Sequence, residues 1–271
     1  MLRKIFTLGD THGTTAWKDL LFNDVYEYEI WRAAVAEGAP IDSDSWSNLP
    51  ISEYDLVIFI GDYVDSFNFT NVEIKKNLED IIHLKKTYPD KVVLLLGNHD
   101  VQYFIKEEQC SGYRPAMQFD LEKLYVENLG LFKIAHLEEG KDRNILWTHA
   151  GVSKEWYSEL HEEMFDSNHR FHYVIEQYKG MKIDEILNVA FDMKISTIFW
   201  VDSISGGTDS VAGPLWIRPS ILVNDAIENY DQVVGHTPRN SVTHYTTKAG
   251  TSLTDTDCLE RGTKEGYLVM I

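Results

Sequence analysis

The stretch Leu56-Val57-Ile58-Phe59-Ile60-Gly61-Asp62-Tyr63-Val64-Asp65 decides the fold of this chain. Its first five residues form a continuous apolar run, which is typical of a strand that is buried on both faces. The run then breaks at Gly61, and two carboxylates follow, Asp62 and Asp65. Ligands bind outside the carboxyl ends of strands in open α/β sheets. The stretch therefore predicts an α/β fold with a functional site where this strand ends.

The same pattern occurs four more times. Strand-like runs at 5–8, 92–96, 145–147 and 233–234 each lead into a short motif that contains a possible metal ligand. These motifs are Gly9-Asp10-Thr11-His12, Gly97-Asn98-His99-Asp100, Thr148-His149-Ala150-Gly151 and Gly235-His236-Thr237-Pro238. Two divalent cations about 3.5–4 Å apart need one shared carboxylate, with imidazole, amide and carboxylate ligands on each side. Five motifs of this kind in one chain predict a two-metal phosphoesterase.

As an ordered set, the five motifs resemble those of the calcineurin-like metallophosphoesterases. Within that superfamily, Gly61-Asp-Tyr-Val-Asp65 and Gly235-His-Thr237 are most similar to the phosphoprotein phosphatase (serine/threonine phosphatase) branch, of bacterial or phage type. The resemblance implies a four-layer α/β/β/α sandwich. It also implies an enzyme that hydrolyses phosphomonoesters, in the manner of a serine/threonine protein phosphatase, by direct attack of a metal-bound hydroxide.

The resemblance also implies roles for individual residues. Six metal ligands are implied, namely Asp10, His12, Asp62, Asn98, His149 and His236. Asp62 would bridge the two cations, with Asp10 and His12 on the first metal and the other three on the second. His99 would be the general acid that protonates the leaving oxygen, and Asp100 would accept a hydrogen bond from its other ring nitrogen. The cofactors would be two divalent ions, manganese first, with iron or zinc as alternatives.

The sequence departs from the branch at one phosphate anchor. Phosphoprotein phosphatases usually follow the second motif with Arg-Gly, whereas Ser66 and Phe67 follow Asp65 here. Two arginines remain as candidates for substrate binding, Arg218 and Arg114. Arg218 is the preferred one, because its segment resembles the late arginine segment of bacterial members. A guanidinium suits this task since its planar fork can bind two phosphate oxygens.

Two further departures lie towards the C terminus. Asp257 follows Asp255-Thr256 where the branch usually has glycine, and such a carboxylate would either repel phosphate or face solvent, the latter being our expectation. Many members of the wider superfamily end the last motif with Gly-His-x-His, but Pro238 replaces the second histidine here. The first metal is therefore left with three predicted protein ligands.

Composition limits the possible partners and locations. A chain of 271 residues with 44% hydrophobic content fits a single domain over 1–271. The net charge of −18 argues against long nucleic acid or an anionic membrane as partner. Cys110 and Cys258 are too few for a disulfide framework and are expected to be free thiols. We expect a cytoplasmic protein, since no secretory or membrane-spanning stretch is evident.

Between the motifs, the sequence predicts the following elements. The segments 14–54 and 152–232 are insertions, expected at the rim of the site and as a cap over it. Thr70 and Glu73 resemble a capping box that begins an amphipathic helix covering the sheet. The stretches 242–247, 252–254 and 267–270 are predicted strands of a second sheet.

Two other functions remain open from the sequence. One is hydrolysis of a nucleotide, a dinucleoside polyphosphate or a phosphodiester, with the aromatic insertion holding a base. The other is a non-catalytic scaffold of the same fold. Whether the enzyme is a phosphomonoesterase or a nucleotide hydrolase, its expected partner is a phosphorylated substrate, a phosphopeptide or a small phosphate ester. The complete ligand set argues against the scaffold, because scaffolds can lose their metal ligands.

Overall fold

A computed structural model describes residues 2–41, 44–105, 109–165, 180–201 and 206–271. Its strands are β1 Lys4–Leu8, β2 Leu56–Phe59, β3 Val92–Leu95, β4 Phe132–Lys133, β5 Ala135–Glu139, β6 Asn144–Thr148, β7 Tyr230–Val234, β8 Thr243–Thr246, β9 Ser252–Asp255 and β10 Tyr267–Met270. They form two five-stranded sheets, ordered β10-β1-β2-β3-β4 and β5-β6-β7-β9-β8. Strands β1 to β4 run parallel to one another, as do β6, β7 and β9.

The α-helices of the described residues are α1 Ala16–Phe22, α2 Val25–Ala36, α3 Asn71–Thr87, α4 Asn98–Val101, α5 Gln118–Asn128, α6 Lys154–Phe165, α7 Ile183–Asp192 and α8 Pro219–Asp225. Helix α3 begins with the predicted capping box. The Glu73 amide donates to Thr70 Oγ1 (3.3 Å), and the Thr70 amide donates to Glu73 Oε2 (2.7 Å). This reciprocal pair satisfies two amides that would otherwise lack partners at the first turn.

The layers follow from side-chain alternation along the strands. Alternate residues of a strand point to opposite faces of its sheet. In β2, Val57 and Phe59 belong to the core that contains the apolar side chains of α1, α2 and α3. Leu56 and Ile58 belong instead to a core made of strand residues from both sheets. On the outer face of the second sheet, apolar residues pack with α8. The predicted four-layer α/β/β/α sandwich is confirmed.

One strand lies in a different sheet from the one predicted. The C-terminal strand β10 pairs antiparallel with β1 in the first sheet, with Val269 opposite Ile5. The prediction that 267–270 belongs to the second sheet is wrong. Strand β10 covers the edge of β1 and buries Val269 between the two sheets. Strands β8 and β9 do lie in the second sheet, as predicted.

The helices of the segment 14–54 pack into the core, and none of its described residues lines the pocket of the site. Trp17, Tyr28 and Trp31 on α1 and α2 are completely buried against the outer face of the first sheet. A buried ionic group fixes these helices to α3, because Lys18 Nζ lies 2.6 Å from the buried Asp80 carboxylate. Of the predicted cap, residues 166–179 and 202–205 lie outside the described residues.

Within the described part of the chain, none of the helices combines the length and apolarity needed to cross a membrane. The five predicted motifs all follow strands whose carboxyl ends lie at the same edge of their sheet. Motifs one to three follow β1, β2 and β3, and motifs four and five follow β6 and β7. The fold therefore brings two sets of parallel strand ends to one place.

Candidate metal centre and active site

The loops that carry the motifs approach one another too closely for larger residues. A Cβ atom on Gly97 would lie 2.1 Å from Asp62 Oδ1, and one on Gly235 would lie 2.0 Å from Asp10 Oδ1. Only glycine therefore fits at these two positions. Asp62 and His236 themselves adopt positive φ angles, 50° and 67°. Strained backbone of this kind is concentrated at functional sites.

Four predicted ligands of the second metal lie together. Asn98 Oδ1 is 3.0 Å from His149 Nε2 and 3.0 Å from His236 Nδ1. His149 Nε2 is also 3.4 Å from Asp62 Oδ2. The ligand atoms of Asp62, His149 and His236 lie within 4.8 Å of one another. All four residues are buried.

Neighbouring groups orient these ligands towards one point. The Nδ1 atom of His149 lies 3.0 Å from the carbonyl oxygen of Ile60 and donates to it, so in the neutral imidazole the lone pair that would bind a metal is on Nε2. The Asn98 amide nitrogen donates to Cys110 Sγ (3.1 Å), which turns Oδ1 towards the histidines. This outer shell is what a bound metal requires of its ligands.

At the predicted first site, His12 lies beside Asp62, the carboxylate predicted to bridge the metals. His12 Nε2 is 3.7 Å from Asp62 Oδ2, and His12 Nδ1 is 2.7 Å from the Val64 carbonyl oxygen. The ligand atoms of His12, Asp62 and His99 lie within 4.8 Å of one another. One oxygen of Asp10, Oδ2, accepts a hydrogen bond from the His236 amide (2.8 Å).

The donor set fits two divalent cations. Asp10 Oδ1 and His236 Nε2 are buried and have no hydrogen-bond partner among the described residues. Leaving buried polar atoms unpaired is costly unless another group satisfies them. Carboxylate, amide and imidazole ligands together suit Mn, Fe or Zn. These observations agree with a dinuclear centre, with Asp62 between the two groups of ligands.

The pKa values of the carboxylates in the site are shifted, because several carboxyl and imidazole groups are buried close together. Burial raises the pKa of Asp10, and repulsion from Asp257 and Asp62 adds to the effect. Burial also opposes ionisation of Asp62, but His149, His99 and His12 outweigh it and hold the Asp62 pKa well below its ordinary value. Asp62 is thus the carboxylate that its surroundings most favour in the charged form.

The structure corrects the partner of His99. The Nδ1 atom of His99 lies 3.2 Å from Asp65 Oδ2, and the predicted contact with Asp100 is wrong. Asp100 instead accepts hydrogen bonds from the amides of Asp62 (2.8 Å), Tyr63 (2.9 Å) and Gly97 (2.8 Å). Because Asp100 follows His99 directly in the helix α4, the two side chains point in different directions. Asp100 therefore holds the backbone of the loops that carry the predicted ligands Asp62 and Asn98.

Asp65 is itself firmly held. Its carboxylate, which is inaccessible to solvent, accepts hydrogen bonds from the side chains of Gln102 and Tyr103. Burial lowers the pKa of His99, but the nearby carboxylates of Asp62 and Asp65 outweigh it and raise the pKa above the ordinary value. His99 is therefore an imidazole with one nitrogen oriented by an anion and the other available for proton transfer.

The two candidate arginines lie in different places. Arg218 lines the pocket, and its guanidinium donates to the carbonyl oxygens of Gly206 and His236, each at 3.0 Å. Arg114 donates to the carbonyl oxygens of Ser66 and Phe69 and is not among the described residues that line the pocket. The structure therefore gives Arg114 a role in holding the 66–71 loop, in place of the predicted contact with substrate.

The pocket has a volume of about 270 Å³ and lies over the predicted metal ligands. It includes several residues that the sequence analysis did not assign to the site, namely Asp65, Phe67, Gln109, Ser111, Trp216, Glu260 and Arg261. Glu260 joins the loop after motif two to the C-terminal segment by accepting from Ser66 Oγ (2.6 Å). The position of Ser66, where the branch has arginine, was the one sequence signal that could have pointed to this contact.

Asp257 is buried rather than solvent-exposed. The residue is only 5% accessible and lines the same pocket. Burial, together with Asp255 and Asp62, raises the pKa of Asp257 to about 7. The expectation that this carboxylate faces solvent is wrong. Cys110 and Cys258 are free and buried, as expected.

Comparisons with known proteins show the family of this chain. The sequence model of the calcineurin-like phosphoesterases matches residues 3–252. No curated protein matches the chain. A serine/threonine phosphatase structure from Saccharomyces cerevisiae, similar to human phosphatase PP5, shares 14% identity with a TM-score of 0.43, covering 93% of this chain and 66% of that one.

The phosphatase domain of the Legionella effector WipB shares 14% identity with a TM-score of 0.40, covering 74% of this chain and 84% of that one. The family match spans nearly the whole sequence and includes all five motifs. The chain accordingly belongs to the calcineurin-like phosphoesterase family and is a metal-dependent phosphoester hydrolase.

Proposed function

We propose that this enzyme hydrolyses phosphomonoesters, with phosphoserine and phosphothreonine in proteins or peptides as the favoured substrates. The observation that supports this most is the His99–Asp65 pair beside the metal ligands. An alkoxide from serine or threonine is a poor leaving group and needs a proton as the P–O bond breaks. The largely buried His99 imidazole, oriented by the Asp65 carboxylate, could supply that proton.

The residues divide the work as follows. Two bound divalent cations, for which we propose manganese, would supply an activated water and neutralise charge on the phosphate. Asp10, His12, Asp62, Asn98, His149 and His236 would hold them. His99 would give the proton on Nε2 to the leaving oxygen, while Asp65 accepts from Nδ1–H and fixes the tautomer.

Two arginines would bind the phosphate or the groups next to it. Arg218 donates through Nε and Nη1 to protein acceptors, which leaves Nη2 without an acceptor among the described residues. Arg261 lies at the pocket with its Nε 3.2 Å from Glu260 Oε2, and its side chain is 56% exposed. We propose that Arg218 binds the phosphate and that Arg261 binds groups at the mouth of the pocket.

A second candidate function is hydrolysis of nucleotides or phosphodiesters. Phe67 and Trp216 both line the pocket, and Phe67 is 68% exposed. An exposed aromatic ring beside a phosphate site can stack on a base. The aromatic pair therefore keeps this alternative open.

A substrate panel separates the two functions. After reconstitution with Mn²⁺, hydrolysis is measured for p-nitrophenyl phosphate, its bis-ester, a phosphothreonine peptide and diadenosine tetraphosphate, each with an EDTA control. EDTA-sensitive turnover of the phosphopeptide above that of the bis-ester and the dinucleotide supports the proposal. Preference for the bis-ester or the dinucleotide would overturn it in favour of the second candidate.

A matched variant tests the role of His99. His99→Asn should retain both metals and lose about 100-fold or more in turnover of the phosphopeptide. Phe67→Ala should lower turnover of diadenosine tetraphosphate only if a base of that substrate stacks on the Phe67 ring. An unchanged rate for the dinucleotide would therefore count against base stacking at Phe67. Loss of metal in His99→Asn would mean that His99 is a metal ligand rather than the acid.

A further inference from the structure

We propose that Asp257 is an additional protein ligand of the first metal, the one bound by Asp10, His12 and Asp62. The inference rests on the metal dependence of the proposed function, but not on the identity of the substrate. Asp257 follows β9, which runs parallel to β7, so its loop leaves the second sheet at the same edge as the His236 loop. The strand end after β9 is thus a sixth one at this site.

The backbone places Asp257 between two metal-ligand loops. A Cβ atom on Gly9, which precedes Asp10, would lie 2.0 Å from the carbonyl oxygen of Thr256 and 3.1 Å from the Cα of Asp257. On the other side, the Asp257 carbonyl accepts from the amide of Arg239, just beyond the His236 motif (2.7 Å). The residue is thereby held against both loops at once.

The carboxylate of Asp257 has no hydrogen-bond donor among the described residues. Asp257 is 5% exposed and lines the pocket with His12, Asp62 and His236. Within the described part of the chain, its side chain accepts no hydrogen bond, whereas its neighbour Asp255 accepts from Arg239 Nε (2.7 Å). An ionised group in this setting is costly unless it is paired or binds a metal.

The other carboxylates of the site increase this cost. Asp10 and Asp62 are both buried beside the pocket, and Asp10 Oδ1 has no hydrogen-bond partner among the described residues. A divalent cation bound to Asp10 and Asp257 together would satisfy the unpaired Asp10 Oδ1 and relieve the repulsion between the two carboxylates.

The number of protein ligands predicted for the first metal also supports a role for Asp257. The first metal has three predicted protein ligands, because Pro238 stands at the second histidine position of the Gly-His-x-His pattern. Asp257 would bring the number to four. Carboxylate oxygens suit Mn²⁺ better than they suit softer cations, so the substitution also agrees with manganese.

Metal binding tests the proposal without reference to activity. The purified full chain is stripped with EDTA and titrated with Mn²⁺, and bound metal is counted by mass spectrometry while electron paramagnetic resonance reports whether two ions are coupled. Wild type is expected to bind two coupled ions. Asp257→Asn and Asp257→Gly should weaken one site by about ten-fold or more and leave the other site intact, with an uncoupled signal at intermediate metal.

A matched control separates ligation from general electrostatics. Glu260→Gln removes a carboxylate from the mouth of the same pocket and should keep both sites at wild-type affinity. Equal weakening in Glu260→Gln, or two coupled ions at wild-type affinity in both Asp257 variants, would overturn the proposal. Circular dichroism confirms that each variant is folded, and Asp257→Gly covers the case in which the asparagine variant misfolds.

The outcome is independent of the substrate assignment. If wild type binds two coupled ions but hydrolyses none of the monoesters, the proposed function fails while the ligand assignment stands. If the monoesters are hydrolysed and the Asp257 variants keep both ions, the ligand assignment alone fails.

Discussion

The contact between His99 and Asp65 leads to a quantitative prediction for Asp65→Asn. The substitution keeps the size of the side chain and removes its charge, 3.2 Å from His99 Nδ1. At that separation, Coulomb's law gives about 5 kcal/mol for an effective dielectric constant of ~20 and about 1.3 kcal/mol in bulk water. His99 is 14% exposed and Asp65 is inaccessible, so an intermediate value of about 3 kcal/mol applies. This corresponds to a loss of about 100-fold in kcat.

The assay compares leaving groups of different basicity. With His99 as the proposed acid, a phosphoserine or phosphothreonine peptide would need its proton, because the leaving group is an alkoxide, whereas p-nitrophenyl phosphate releases a stable phenolate. Asp65→Asn should therefore lower kcat for the peptide by the full amount and kcat for p-nitrophenyl phosphate by much less. The double variant with His99→Asn should lose little more than His99→Asn alone, because both act on one proton transfer.

Two results would refute this reasoning. An equal loss for both substrates would show that Asp65 does not act through proton donation. Additive losses in the double variant would show that Asp65 and His99 act separately. Metal content measured on the same samples excludes the trivial case in which Asp65→Asn loses its cations.

Three more predictions concern stability and substrate binding. Asp100→Ala should lower the free energy of unfolding by about 2–4 kcal/mol in urea titrations, since three backbone amides of the metal-ligand loops lose their acceptor; an unchanged midpoint would contradict this role. Asp80→Ala should lower the free energy of unfolding by about 3–5 kcal/mol, because the buried Lys18 loses its nearer partner and keeps only Glu29, 3.5 Å away, whereas the exposed Glu139→Gln should change the midpoint little. Arg218→Ala should raise KM for the phosphopeptide about ten-fold or more, as expected for loss of a charged hydrogen bond to phosphate, while an unchanged KM would move phosphate binding to another residue.

The fold could be predicted largely because its signals are local. Each metal-ligand motif follows an apolar run that became a strand, and the residues of one run are neighbours in the chain. The capping box at Thr70 is equally local, since both of its hydrogen bonds join residues three apart. The strand β10 was assigned to the wrong sheet because nothing in 267–270 specifies a partner, and its pairing with β1 spans the full length of the chain.

By itself, the sequence determined which motifs follow the strands and in what order, and it predicted the metal chemistry that such residues serve. Motifs of this kind are defined by residue type and by spacing over a few residues, and both can be read directly from the sequence. The tertiary structure decided which carboxylate meets which partner. Asp65, three residues beyond the predicted bridge Asp62, contacts His99, whereas Asp100, which follows His99 directly in sequence, accepts from the amide of Asp62 instead. It also buried Asp257 beside Asp10 and placed Arg261 at the pocket. Such contacts depend on how the ends of strands from two sheets come together, and no spacing within one segment records that geometry.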